Sequence, residues 1–276
     1  MGILQKPFSL VVALSLVFLS SYAGKIQENE PTKIGNREPP KEPILRVDSG
    51  MHIAPIMSLA VDSTNQFVIT GSIDKTIRVW QASDGRLLKT IRPPISDGRE
   101  GMINALALSP DGSTIAAGGW TGEQWDNSFC IYFFDRETGR FLKRITGLQN
   151  AVFYLAYSTD GSRLVATMGE RSGIRVYRTG DLSLIAEDHE YDSFSKGAAF
   201  DHQGRLVTTA WDGYIRLYDQ NFSLLAKVKI PALNQPYGVS FSSDGTKIAV
   251  GYEDLPKVVV LSGQDLSVLY SPDTSG

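Results

Sequence analysis

The chain has 276 residues, of which 42% are hydrophobic and 21% are charged. This length and composition predict a soluble globular protein whose core could serve one large domain or two small ones. Its 30 acidic and 27 basic residues leave a net charge of −3 without any block of like charge, so we expect no nucleic-acid partner.

The first 43 residues have the pattern of an exported protein. Residues 1–23 are predicted to be a signal peptide, because Lys6 precedes an apolar stretch at 8–19 that is too short to span a bilayer comfortably. Small residues at 21 and 23 then favour cleavage, with an uncleaved anchor as the alternative. Residues 24–43 are polar and contain four prolines, which predicts a flexible linker. We therefore predict a periplasmic or secreted protein with no membrane span after cleavage.

Cys130 is the only cysteine in the chain. An exported chain with one cysteine has no internal disulfide, so its stability must come from its core. Because Cys130 has the apolar neighbours Phe129 and Ile131, we expect a packed thiol within a strand rather than a reactive one.

Turn residues recur along the rest of the chain at spacings of 47, 49, 43 and 41 residues. They are Asn65, Gly112, Gly161, Gly204 and Gly245. Each lies between two apolar runs, and three of them are the glycine of an Asp-Gly pair, which supplies the backbone conformation that a tight hairpin needs. The pattern therefore predicts a hairpin at the start of each of five repeats.

A third and a fourth strand are predicted after each hairpin. In the later repeats the third strand is apolar on both faces, at residues 131–134, 174–177, 215–218 and 258–261. The fourth is more polar, at residues 87–91, 141–145, 184–186, 224–228 and 267–269. Four strands in each repeat, with no helical pattern between them, predict an all-β fold of four-stranded antiparallel blades, a β-propeller with five visible blades in residues 44–276.

The first repeat carries His52, Thr70, Asp74 and Trp80, and with them the chain resembles the WD-repeat β-propeller family from residue 44 to about residue 269. In that family the histidine bonds the aspartate, and a serine or threonine links both to the tryptophan. The resemblance therefore implies that these four residues form a structural tetrad.

Later repeats depart from that pattern. The tryptophan position is occupied by Phe134, Tyr177, Tyr218 and Leu261. In the fourth repeat Thr208 and Asp212 remain, but Tyr191 stands where the histidine would be. We therefore expect a complete polar network only in the first blade.

Residues 44–47 resemble a lone fourth strand that, in this family, completes the last blade and closes the ring. The fifth repeat already has its own fourth strand at 267–269. This surplus predicts an incomplete ring, with the chain truncated at its C-terminal end. The alternatives are a true five-bladed ring or closure by a partner chain.

Stretches at 51–56, 92–95, 118–122 and 214–219 also resemble exported bacterial WD-repeat proteins. Some of those carry a caspase-like peptidase domain on the same polypeptide, but this sequence contains no such domain. The resemblance implies a protein-binding scaffold that displays its blade loops. The alternatives are a regulatory or substrate-presenting propeller portion of a larger caspase-like peptidase or other enzyme, and a propeller enzyme with catalytic residues in its channel.

Tryptophans on the predicted loops are the strongest candidates for contact with a partner. The loop at 118–129 is long, and Trp125 and Trp211 each immediately precede an aspartate, a position that in the family faces the surface near the central channel. Tryptophan is also a favoured interface anchor, although these rings could instead cover neighbouring blades. The residues predicted to bind a partner are Trp120, Trp125, Trp211, Tyr191 and Tyr237.

No catalytic residues, cofactor or metal site are predicted, so we expect a protein that is not an enzyme. The chain lacks a Gly-x-Ser-x-Gly elbow and a phosphate-binding loop, and its three histidines are too scattered for a zinc motif. The acidic residues at 187–192 could hold Ca²⁺, but they lack the spacing of a calcium loop and are better explained as a solvated loop.

Overall fold

A computed structural model describes residues 49–274 of the chain. The predicted signal peptide (1–23), linker (24–43) and closing strand (44–47) lie outside these residues, and those three predictions stand untested. No helix in the described part of the chain is long and apolar enough to cross a membrane.

The described residues form twenty strands in five antiparallel four-stranded sheets, each with its strands in chain order, so the predicted fold class is confirmed. The first sheet contains β1 (Ile56–Val61), β2 (Phe67–Ser72), β3 (Ile77–Gln81) and β4 (Leu87–Ile91). The second contains β5 (Met102–Leu108), β6 (Thr114–Trp120), β7 (Phe129–Asp135) and β8 (Phe141–Leu148). The third contains β9 (Val152–Tyr157), β10 (Arg163–Met168), β11 (Ile174–Arg178) and β12 (Leu184–Asp188). The fourth contains β13 (Ser195–Phe200), β14 (Leu206–Ala210), β15 (Tyr214–Tyr218) and β16 (Leu224–Lys229). The fifth contains β17 (Pro236–Phe241), β18 (Lys247–Tyr252), β19 (Val258–Ser262) and β20 (Val268–Tyr270).

The predicted turn residues close the hairpin between the first and second strands of every sheet. Asn65 and all four glycines have φ between 56° and 80°, the left-handed region that suits these residue types. In the second sheet the Asp111 carboxylate accepts a hydrogen bond from the Ser113 amide at 3.0 Å, which fixes the turn around Gly112. The hairpins therefore form for the local reason that the sequence indicated.

Two boundaries differ from the predictions. The strand β6 continues to Trp120, and a short helix, α1 (Glu123–Asp126), follows within the segment predicted to be an irregular loop. The strand β12 continues to Asp188, so the acidic segment at 187–192 begins inside a strand. In both places backbone pairing extends beyond the apolar run that marked the strand.

The sheets pack face to face in chain order, with their first strands side by side. Four apolar clusters lie between the four neighbouring pairs of sheets. The fourth strands lie on the outside, where Phe141, Leu225 and Tyr270 are exposed. Within residues 49–274 no comparable cluster joins the fifth sheet to the first, and the incomplete ring stays a prediction.

Replacing Gly112 with alanine should lower the free energy of unfolding by about 1–2 kcal/mol, because a Cβ atom disfavours the left-handed backbone that this turn requires. The matched control is Gly180→Ala, in a turn where φ lies outside that region and nothing surrounds the added Cβ. The control should change stability by less than about 0.5 kcal/mol. Urea unfolding measures both, and equal effects would contradict the turn argument.

Candidate interaction surface

The four residues of the predicted tetrad are linked by hydrogen bonds at one end of the first sheet. The Trp80 indole N–H donates to Thr70 Oγ1 at 2.8 Å, and Thr70 Oγ1 lies 2.7 Å from His52 Nε2. His52 Nδ1 lies 2.8 Å from Asp74 Oδ2. The His52 and Asp74 side chains are almost completely buried. When His52 carries its proton on Nδ1 and accepts at Nε2, each donor in the chain of hydrogen bonds from Trp80 to Asp74 meets an acceptor.

Asp74 is held in its charged form by this network. Burial would raise the pKa of Asp74, but hydrogen bonds from His52, from the Thr76 hydroxyl at 2.6 Å and from the Ile53 amide at 3.1 Å lower that pKa to about 2. The carboxylate therefore ties the segment before β1 to the turn between β2 and β3.

Replacing Asp74 with asparagine should lower the free energy of unfolding at about pH 7 by about 1–3 kcal/mol, because buried donors lose their charged acceptor. The folded pKa lies below the usual 3.8, so the carboxylate stabilises the fold fully above about pH 4 and loses this effect as the pH falls through 2. The gap between wild type and variant, measured by urea unfolding, should narrow over that range. The control is Asp84→Asn, in an exposed ion pair, which should show no such gap.

The fourth sheet contains a different buried polar network, which is built without the histidine and the tryptophan of the tetrad. Tyr191 stands in the histidine position, and its hydroxyl lies 2.7 Å from Thr208 Oγ1 and 2.9 Å from the Tyr218 hydroxyl. The Tyr218 hydroxyl in turn donates to Asp188 at 2.6 Å. Burial raises the pKa of both tyrosines, so both stay neutral donors.

An arginine completes this second network. Arg216 forms a buried ion pair with Asp212 at 2.6 Å, donates to the Glu190 carbonyl at 2.6 Å, and lies 3.9 Å from the centre of the Tyr191 ring. Tyr191 is only 2% exposed beneath it, which corrects its prediction as a partner-binding residue. The spacing of Arg216 four residues after Asp212 is the sequence signal that could have revealed the pair.

Trp120 and Trp125 lie at the same end of the second sheet, and both are half-buried. The Arg99 guanidinium lies 3.9 Å from the centre of the Trp120 ring, and Phe129 meets that ring edge-on. The Glu100 carboxylate accepts the Gly122 amide at 2.7 Å and so positions the loop that carries Trp125. These contacts fit the alternative that the rings cover neighbouring residues.

The other two predicted residues, Trp211 and Tyr237, meet in an aromatic cluster around Lys196. We call Phe153, Phe194, Trp211 and Tyr237 the ring cluster; they come from the third, fourth and fifth sheets, at the end where the first strands begin. The Lys196 Nζ atom lies 3.8 Å from the Trp211 ring centre, and the other three centres lie at 4.2, 5.1 and 5.8 Å. The ammonium is thus surrounded by aromatic faces.

The rings also support one another. Phe194 packs edge-on against Phe153, with 5.3 Å between centroids, and lies 5.4 Å from Trp211. The Trp211 indole N–H donates to Glu253 at 2.9 Å, which fixes the orientation of the indole. All four rings are half-buried, so each presents part of its surface to solvent.

Lys196 is 7% exposed, yet no acceptor in the described part of the chain lies within hydrogen-bond distance of its ammonium. Burial disfavours the charged form, and the more distant Glu253 opposes this only in part, so the pKa of Lys196 falls to about 8. The polar groups of the tetrad in the first sheet are all hydrogen-bonded, whereas the ammonium of Lys196 is not.

Sequence reasoning missed Lys196, Phe153 and Phe194. One signal was present: Lys196 is the only charged residue in the five first strands of the described sheets. The acidic segment at 187–192 is engaged internally, since Glu187 pairs with Arg175 at 3.2 Å. Residues 49–274 contain no group of three or more metal-binding side chains placed to hold an ion.

Replacing Lys196 with methionine should raise the free energy of unfolding at about pH 7, because it removes a buried unpaired charge and keeps an apolar stem. The gain should be a few kcal/mol at most, since one pKa unit corresponds to about 1.4 kcal/mol. It should shrink as the pH rises from about 8 towards 10.5, where the unfolded lysine still binds its proton and the folded one has lost it.

Urea unfolding across this range measures the effect. The charged or titratable neighbours are Glu253 and Tyr237, and the pKa of Tyr237 is raised by burial to about 12, so it stays neutral. The control is Lys247→Met at an exposed site, which should show no such pH dependence. A Lys196→Met protein less stable than wild type would show that cation–π attraction outweighs desolvation.

Comparison with known proteins gives consistent matches. Residues 50–81 and 85–132 match the family model described as WD domain, G-beta repeat. Similar relatives include WD repeat-containing protein SL1-17 of Schistosoma mansoni, 28% identical over 61% of this chain and 52% of its own length. Target of rapamycin complex subunit wat1 of Schizosaccharomyces pombe is 26% identical over 67% of this chain and 55% of its own length. COMPASS component SWD3 of Saccharomyces cerevisiae is 32% identical over 34% of this chain and 27% of its own length. The chain therefore spans about half or less of these relatives.

Proposed function

We propose that this chain is a WD40-repeat protein that serves as a protein-binding scaffold, and that its partner docks on the ring cluster. One observation carries the proposal. Four half-buried aromatic rings from three neighbouring sheets converge on a single buried lysine at one end of the array.

Aromatic rings of this kind are favourable docking anchors. They lose little conformational entropy on binding, and tryptophan and tyrosine dominate the binding energy of many interfaces. Here the rings hold one another in place and Glu253 fixes Trp211, so a partner would meet a preorganised surface.

The names of two relatives support a protein as the partner. One is a subunit of the target of rapamycin complex and the other is a COMPASS component, so both belong to protein complexes. The relatives named above are WD-repeat or complex proteins, which favours a scaffold over an enzyme. We do not assign their complexes to this chain, which spans only part of each relative.

Export of the chain through residues 1–23 remains part of this proposal, with a periplasmic or secreted location as its consequence. The relatives named above are eukaryotic, so they do not support the resemblance to exported bacterial WD-repeat proteins that the sequence suggested. They give none to the alternative of a larger caspase-like peptidase either. Fusing residues 1–43 to a reporter and measuring its export would decide the location.

Replacing Trp211 with alanine should weaken partner binding at least tenfold, because the largest ring of the docking surface is removed. Affinity capture from the source cell, with quantitative mass spectrometry, measures the loss. The control is Tyr270→Ala, which removes an exposed ring from the outer strand β20. A partner retained equally by both variants would place the docking surface elsewhere.

A further inference from the structure

We propose that Lys196 is the receptor for a carboxylate, so that the docking segment of the partner presents an aspartate or glutamate to the ring cluster. The inference rests on the proposed function and adds the chemistry of the partner. Its basis is the geometry around one side chain, a buried cation that has four aromatic rings near it and forms no ion pair.

The Lys196 ammonium has no hydrogen-bond acceptor in the described part of the chain. An ammonium group has three donors, and burial of a charge is unfavourable unless it is paired and hydrogen-bonded. In residues 49–274 Lys196 Nζ forms no hydrogen bond or ion pair, and the four aromatic faces near it accept no conventional hydrogen bond. Its donors are therefore left for solvent or for a ligand.

The side chain of Lys196 is more than nine-tenths buried, yet its Nζ atom is not among the fully enclosed polar atoms that lack a partner. The nitrogen is therefore not completely enclosed, and the half-buried rings lie around it. A side chain that enters there would meet aromatic walls and one charged nitrogen at their centre.

The positive charge of Lys196 favours a ligand of negative charge. A cationic side chain of a partner would meet the Lys196 ammonium, which already occupies the centre of the ring cluster. Glu253 does not serve as the counterion, because its carboxylate is bonded to Trp211 and lies beyond ion-pair distance of Lys196. A carboxylate from outside would supply the missing acceptor, and the apolar walls would strengthen the attraction.

A methionine of similar shape would fill the same space without a buried charge, so the lysine is not the residue that packing alone favours. A buried charge at a site where packing favours an apolar residue points to binding, because charged groups at interfaces are placed opposite complementary charges of the partner.

A displayed library of random peptides tests the inference, with selection on wild type, Lys196→Met, Lys196→Arg and Trp211→Ala. Peptides selected on wild type should be enriched in aspartate or glutamate at one position. Replacing that residue with its amide should weaken binding to wild type about tenfold and binding to Lys196→Met less than twofold. Lys196→Arg, which keeps a cation, should retain the acidic preference. Circular dichroism and urea unfolding confirm that each variant is folded.

The outcomes separate the two proposals. If wild type and Lys196→Met select the same acidic peptides with equal affinity, or if the selected peptides are not acidic, the role of Lys196 is overturned while docking on the ring cluster stands. If Trp211→Ala selects the same peptides as wild type, docking on the ring cluster is overturned. If wild type enriches no peptide, both proposals fail.

Discussion

Face-to-face burial of neighbouring sheets is the constraint on which the structure depends. The strand β7 shows it most clearly, because its residues alternate between two cores: Ile131 and Phe133 face the third sheet, whereas Cys130, Tyr132 and Phe134 face the first. Cys130 is therefore a packed thiol, as predicted, and burial raises its pKa to about 11. A strand that is apolar on both faces has no solvated side and must lie between two sheets.

Because the faces of the sheets are apolar and buried, the polar networks lie at the ends of the sheets. There the first and fourth sheets each use a buried carboxylate to join a segment before the first strand to the hairpin beyond it. Asp74 does so with His52, and Asp212 does so with Arg216 stacked on Tyr191. The two networks differ in residue type but leave few donors unpaired, and together they hold the ends of the sheets in fixed positions.

Lys196 contrasts with these networks because its ammonium has rings around it instead of acceptors. The fourth sheet pairs two buried carboxylates, Asp201 and Asp212, with arginines, which makes the unpaired charge of Lys196 informative. The surrounding rings are rigid and partly exposed, which is the combination expected of a surface that recognises a partner by shape and by one charge.

The sequence by itself determined the repeats, the hairpins and the order of strands, because these depend on local chemistry. Glycine or asparagine permits the turn at positions such as Gly112, and the alternation of apolar residues sets each strand. Only the tertiary structure decided which side chains meet. Phe153 and Tyr237 are far apart in sequence and become neighbours because three sheets converge, and Tyr191 is hidden because Arg216 covers it. The exposure of a side chain and its hydrogen-bond partners depend on how the sheets pack. Packing brings together residues that are distant in sequence, and the sequence around each residue does not show which others it will contact.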